Sequence, residues 1–256
     1  MKILSFISAI FFLTVILISG CDKYEINYGE FNKVTSEQAL LKVNYNIAYS
    51  ANPGIQIKIN GSRVSTLINT RYPYPGGGYN TLGDSRPDYL AVAQGNLLVS
   101  IVIPKKGTNI DSVELYKTNL TTVAGKNYTL HVTDTAENTK SMVTTDDFTL
   151  PDSGFVKYRL VNLMPNVSAI DLYFGTSLVA SNIDYLKASE YFTMATQPSV
   201  AWTIRAAGSA PTSAAVVTYI SANTLTNKRS YTIFATGYTG RTDAVRKPYL
   251  SFFLIK

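Results

Sequence analysis

The chain predicts an all-β protein: two tandem, immunoglobulin-like antiparallel β-sandwiches that follow a signal peptide and a short tether. Three observations carry that expectation. Apolar and polar residues alternate over short runs rich in Val, Ile, Thr and Tyr, turn sequences separate the runs, and the whole pattern occurs twice. No stretch beyond the N-terminal apolar run keeps a 3.6-residue apolar period, so long amphipathic helices are excluded.

The N-terminus has one positive residue, Lys2, then an apolar run over residues 3–18 broken only by Ser5, Ser8 and Thr14, and then Ser19-Gly20-Cys21. The run is shorter than the roughly 20 residues that comfortably span a bilayer. It ends in small residues followed by polar chain, which is the pattern of a signal peptide rather than a permanent anchor. Ile18-Ser19-Gly20-Cys21 resembles a bacterial lipobox, which implies cleavage after Gly20 and lipid on the Cys21 thiol. Cys21 is the only cysteine in the chain. Lipidation accounts for it, and an intramolecular disulfide has no partner. Two or more acyl chains hold a protein on a membrane nearly irreversibly, at about 0.8 kcal/mol per buried methylene.

Residues 22–38 are polar and without period, so residues 1–20 read as the signal peptide and 21–38 as the lipidated cysteine and its tether. Residues 39–150 and 154–256 are then the first and second sandwich. Residues 39–68 align without gaps on 154–183, so that Ile55, Ile57 and Ile59 fall on Ile170, Leu172 and Phe174. Later, Tyr128-Thr129-Leu130 matches Tyr231-Thr232-Ile233. Asn60-Gly61 between two alternating runs predicts a type I′ hairpin, whose central residues need positive φ. Residues 104–109 and 208–213 are equivalent connections, and Leu150-Pro151-Asp152-Ser153-Gly154 marks the boundary between the copies. The first copy alone carries a long Tyr-, Pro- and Gly-rich insertion over residues 72–87.

The second copy resembles the bacterial domain of unknown function 4397 family, common in exported proteins and often tandem. The resemblance rests on Tyr158-Arg159-Leu160-Val161-Asn162 with Pro165, Ala169-Ile170-Asp171-Leu172-Tyr173, residues 178–183, Ala207-Gly208-Ser209 and Ser230-Tyr231-Thr232-Ile233-Phe234. In the first copy Asn44, Ile47 and Ser50 stand where the second has Arg159, Asn162 and Pro165, and its membership rests on the repeat. The resemblance implies a β-sandwich and, with the lipobox, a lipoprotein similar to those of Bacteroidetes, located in the cell envelope and expected at the outer membrane on an unassigned face. It implies no activity and transfers no catalytic residue. Two segments, Asp111-Ser112-Val113 and Asp134-Thr135-Ala136, look like the O-glycosylation acceptor of that phylum, at Ser112 and Thr135.

Composition argues against most chemistry. The 23 Lys and Arg exceed the 17 Asp and Glu only diffusely, in isolated pairs rather than a stripe that would track phosphates, so no nucleic-acid partner is expected. The single histidine, His131, lies in a strand opposite Leu130 and Val132, which predicts a partly exposed strand residue rather than a catalytic base. No cofactor or metal is expected, because His and Cys do not cluster. Asp146-Asp147 is the best local carboxylate pair and reads as a solvated turn. Trp202 reads as a core residue, and residues 249–255, apolar on both faces, as a final buried strand. Tyr72, Tyr74 and Tyr79 in the insertion admit two readings: rings offered to a sugar face, or rings folded over the first core. The function expected is a non-enzymatic binding or adhesion module for glycans, anchored to the membrane through lipid on Cys21. The alternative is a scaffold contacting an envelope or host protein, and a third is a hydrolase with an unrecognised pair of carboxylates.

Overall fold

In the computed structural model, which describes residues 34–108 and 110–256, the alternating runs become strands as their side-chain period of two requires. The signal segment, Cys21 and most of the tether lie outside the described residues. The first copy runs through β1 (Gln38–Ile47), β2 (Gln56–Ile59), β3 (Ser62–Arg63), β4 (Tyr72–Tyr74), β5 (Gly78–Tyr79), β6 (Leu90–Ala93), β7 (Gly95–Pro104), β8 (Asp111–Thr122), β9 (Asn127–Asp134) and β10 (Lys140–Thr145). The second continues with β11 (Phe155–Leu163), β12 (Ala169–Phe174), β13 (Ser177–Asp184), β14 (Phe192–Ala195), β15 (Trp202–Ala206), β16 (Val217–Tyr219), β17 (Ser230–Thr236) and β18 (Tyr249–Leu254).

The repeat read from the sequence is a repeat of topology. One sheet of the first copy has the order β10, β9, β1, with β4 and β6 sharing the far side of β1, and the other has β3, β2, β7, β8. In the second copy β18, β17, β11, β14 and β13, β12, β15, β16 take the same places. Asn60 and Gly61 turn the β2–β3 hairpin with φ of 48° and 83°, the left-handed pair that a type I′ turn demands. The sheets are not purely antiparallel: β1 pairs with β9, and β11 with β17, in parallel register. Each parallel pair is reached after the chain has crossed to the opposite sheet and returned, the long connection that parallel neighbours need.

Each sandwich closes on its own core. Leu41, Val43 and Tyr45 of β1 meet Ile57, Val99, Ile101, Leu130 and Val132 in the first. In the second, Trp202 is fully buried among Tyr158, Phe174, Ile204 and Phe252, and its indole N–H donates to Thr224 Oγ1 at 3.1 Å. The final strand β18 is buried as expected.

The opposite faces of β1 and β9 are also buried, a feature the alternation did not reveal. Lys42, Asn44, Asn46, Thr129, His131 and Thr133 have almost no solvent exposure. The second copy covers them with the outer face of β11, β17 and β18, where Val161, Leu163, Phe234, Phe253 and Ile255 form a cluster joined by Met142 and Phe148 of the first copy. The two sandwiches therefore pack face to face as four layers. This corrects the expectation for His131: period two placed it opposite Leu130 and Val132, but a sequence period cannot say whether the second face is wet. It also corrects Asp146, which is no solvated turn residue but 3 % exposed inside the same interface.

The insertion of the first copy spans that interface. β4 pairs with β1, whereas β5 adds to the edge of β18 in the second copy, Phe253 opposite Gly78. Asn80 Nδ2 donates to Leu250 O at 2.7 Å, Ser251 Oγ donates to Asn80 O at 3.0 Å, and the Arg71 guanidinium lies 3.5 Å over the Tyr249 ring. A side chain at Gly78 would run into Thr81 Oγ1, so the chain passes here only as glycine. Because Tyr79 packs edge-on against Tyr231, with ring centroids 5.9 Å apart, Tyr79→Ala should lower unfolding stability by about 2 kcal/mol in urea titration. A change below about 0.5 kcal/mol would contradict this role for the insertion.

Candidate functional site

A face-to-face pair of sheets that buries charge must pair it, and Asp146 is where that happens. It follows β10 directly, and its side chain is fully enclosed. Arg159 of β11 donates to its Oδ1, Thr129 Oγ1 donates to Oδ2 at 2.5 Å, and the Tyr89 hydroxyl donates to Oδ2 at 2.9 Å. Arg159 also donates to Thr144 Oγ1 at 3.0 Å and Thr145 O at 2.9 Å, and its plane lies 4.8 Å from the Tyr191 ring centroid. His131 sits between Asn44 and Thr144, each at 3.1 Å. With Asn44 donating to Nδ1, the ring proton sits on Nε2 and is given to Thr144 Oγ1. Burial, then the nearby Arg159 cation, hold His131 well below its ordinary pKa and hence neutral.

Lys42 of β1 is the remaining buried cation. It donates to the backbone carbonyls of Gly76 and of Asp88, the latter at 2.6 Å, and lies 4.6 Å over the Tyr89 ring. Gly76 lies within the insertion and Asp88 directly follows it, so this lysine ties the insertion down against β1. Burial pulls its pKa down to about 7 against the attraction of Asp146 and Asp88. At the edge of the interface Lys157 donates to Asp147 at 2.9 Å and to Thr149 O, and that bond is the main reason the Asp147 carboxyl falls to about 2. The imidazole, Lys42 and the Arg159–Asp146 pair lie away from solvent and orient the two sandwiches, while Asp147 at the edge is half-exposed. Among the described residues no three His, Cys, Asp or Glu side chains group as metal ligands.

The interface sets both sandwiches in the same direction. Thr133 Oγ1, near the end of β9, donates to Leu163 O at the end of β11, and Tyr238 just after β17 donates to Asp134, the last residue of β9. The ends of β1, β9, β11 and β17 thus share one end of the molecule, the far end, while the chain enters β1 at Gln38 at the other. Strand register places the β7–β8 and β15–β16 connections at the far end too.

Three clefts open there. One of about 560 Å³ at the tip of the first sandwich is lined by Gln56, Leu67, Lys105, Lys106 and Thr108, and one of about 350 Å³ at the tip of the second by Asn166, Ser168, Ala207 and Thr239. Between them a cleft of about 200 Å³ takes Tyr49, Ser50 and Thr135 from the first copy and Tyr238, Arg241 and Arg246 from the second. A further cleft of about 370 Å³, lined by Asp147, Leu150, Phe155 and Lys157, lies at the entry end.

The residues singled out from sequence are scattered over this frame. Tyr72 and Tyr74 are half-buried against the first core, with the Tyr74 hydroxyl donating to Val64 O, and Tyr79 is half-buried against the second. The three rings are thus divided between two cores. Ser112 is exposed at the start of β8, beside an Asp111 that bridges Lys58 and Arg63. Thr135 is half-buried in the middle cleft. Lys42, Asp146 and Arg159 were missed as a site. Their signal was present: Lys42 and Lys157 occupy equivalent positions in the repeat, each within a strand otherwise apolar on one face.

Fold and site together define a tandem β-sandwich protein with a charged, hydrogen-bonded layer buried between its two copies. A profile of the family described as Domain of unknown function (DUF4397) matches residues 41–173 and 156–247, and the chain belongs to that family. No curated protein matches the chain.

Removing one member of the buried pair leaves the other uncompensated. Asp146→Ala should cost about 3–5 kcal/mol, and Arg159→Met with Asp146→Leu should recover most of it, in a double-mutant cycle by urea unfolding. The pH dependence follows from His131 and Lys42. The unfolded chain takes up a proton at His131 below about pH 6.5 that the fold refuses, so stability falls as pH drops through 6.5. Between about 7 and 10.5 the unfolded chain keeps a proton that folded Lys42 has released, so stability rises with pH across that window. His131→Gln should flatten the acid limb and Lys42→Met the alkaline one. An unchanged profile in either variant refutes that assignment.

Proposed function

We propose that this protein is an exported, lipid-anchored, non-catalytic recognition module of the cell envelope. In this reading it is held at the outer membrane through Cys21 and presents the far-end loops of both sandwiches to glycans. The observation that carries the proposal is the polarity of the fold: the chain enters at one end, and three clefts lined by loops of both copies open at the other. An anchor ahead of Gln38 leaves those clefts free, and loops on a rigid scaffold are where recognition concentrates. The buried, neutral His131 and the mutually paired charges of the interface support a binding role over hydrolysis. The exposed position of Ser112 suits it to carry an O-linked sugar, and Thr135 is the less accessible of the two acceptors. A scaffold role has support of its own in Leu67 and Ile110, about 60 % exposed near the tip of the first sandwich, where a protein partner would cover them.

The test is a glycan and matrix-protein array probed with the full chain in detergent micelles. A polymer is attached at Thr108→Cys or Ser50→Cys at the far end, or at Thr176→Cys in the β12–β13 turn at the entry end. Selective glycan binding blocked by either far-end polymer and untouched by the entry-end one is expected. Binding blocked only at the entry end, or binding confined to proteins, overturns the glycan reading.

A further inference from the structure

The middle cleft is rich in hydrogen-bond donors, and the two carboxylates beside it each already accept from protein groups. The Asp134 carboxylate accepts from the Tyr238 hydroxyl at 2.7 Å and from Thr135 N at 2.9 Å, both through Oδ1. Asp243 accepts from Arg246 Nε and from Arg246 N, each at 3.0 Å. On the donor side the Arg246 side chain is committed through Nε, and its two terminal nitrogens make no hydrogen bond among the described residues. Arg241 has no side-chain partner among the described residues. The Tyr49 hydroxyl accepts from Ala136 N at 3.0 Å, so its own proton remains to be given. Two guanidinium forks and a phenol therefore meet in about 200 Å³, room for one small oxyanion with its first substituents and not for a sugar chain.

The walls of this cleft are fixed rather than adaptable. Tyr238 bridges the two sandwiches through Asp134, and Tyr238 N donates to Arg246 O at 2.8 Å, closing the loop that carries both arginines. That closure brings Lys247 O to 2.2 Å from where a Cβ on Gly237 would stand, at a φ of 88°, so position 237 admits glycine alone. A loop backbone held by such constraints needs little ordering on binding, so that cost falls on the arginine side chains alone.

We propose that this cleft is an oxyanion subsite that reads the carboxylate or sulfate group of an acidic glycan, with Arg241 and Arg246 as the charged donors and Tyr49 as the neutral one. It rests on the reading of the far end as the recognition surface and gives that surface its specificity. Arg246 supplies a planar fork suited to two parallel bonds with a carboxylate or sulfate, and Arg241 closes from the second side. The neighbouring cleft at the tip of the second sandwich, with the neutral lining of Asn166, Ser168 and Thr239, would take an adjoining sugar unit.

The experiment uses the full chain in detergent micelles and four probes: free glucuronate, inorganic sulfate, a sulfated polysaccharide and a neutral dextran. Titration calorimetry is run on the wild type, Arg241→Gln, Arg246→Gln and Tyr49→Phe. Glucuronate or sulfate should bind the wild type, with each arginine variant weaker by about tenfold and Tyr49→Phe by a few-fold, all with unchanged melting temperature. The polysaccharide should follow the arginines and lose affinity with salt. Glucuronate binding without sulfate assigns the group as a carboxylate, and the reverse as a sulfate ester. Equal affinity in wild type and both arginine variants overturns the subsite. Dextran binding that survives in the arginine variants, with no binding of either small anion, overturns the subsite and leaves far-end recognition standing. No binding of any probe, with no hit on the glycan array, overturns both.

Discussion

The ion pair between Arg159 and Asp146 governs the molecule, because a charge taken out of water must be matched where it lies. Asp146 ends the last strand of the first sandwich and Arg159 sits in the first strand of the second, so the match can be made in only one relative placement of the two. Other features follow from it. The guanidinium beside His131 adds to burial in keeping the imidazole neutral. Since Asp146 is already satisfied, Lys42 has no carboxylate of its own and turns to main-chain carbonyls, Gly76 O within the insertion and Asp88 O just after it. Drawn in by those bonds, the insertion carries β5 across to β18 and becomes a clasp between the copies.

The interface is built from the same face of the same sheet in both copies, yet its two sides differ in character. Lys42 corresponds to Lys157, Asn44 to Arg159, Thr129 to Thr232 and His131 to Phe234. One side is dominated by hydrogen-bonding groups, the other by an apolar cluster around Phe234 and Phe253. An interface apolar on both sides would hold the sandwiches together with little preference for register. The polar layer contributes little net stability, but it penalises every other register by leaving buried groups unpaired. Co-direction of the copies, and with it the gathering of loops at one end, is the functional consequence.

Much of the fold was legible in the sequence because its signals are local. Alternation gave the strands, Asn60-Gly61 the hairpin, and self-alignment the two copies with their matching connections. What stayed hidden was the second face of β1 and β9. His131 and Asp146 looked exposed because polar residues on one face of a strand usually face water, and only the partner sheet of the second copy makes them interior. One clue was available: residues 249–255 are apolar on both faces, and such a strand needs cover on both. The insertion was legible as an insertion and misleading as a free loop, because Tyr72, Tyr74 and Tyr79 show ring content without saying which core receives it. The cleft of Tyr49, Arg241 and Arg246 had no sequence signature, since it draws on three loops of two domains.

Because that cleft has one wall from each sandwich, its width is set by the interface rather than by either domain. A single sandwich would present half of it, with Tyr49 and Ser50 but neither arginine, or the arginines without their phenol. Tandem duplication alone would therefore not have created the site; the copies had to be locked in register first. The buried Arg159–Asp146 pair, chemically inert toward any ligand, is on this argument what makes the far end a composite surface. β9 and β11 run from the buried polar layer around His131 and Arg159 to Thr133 and Leu163, whose hydrogen bond joins the copies at the far end. The buried polar layer and the exposed donor-rich cleft are two ends of one structural device, the first fixing the geometry that the second uses.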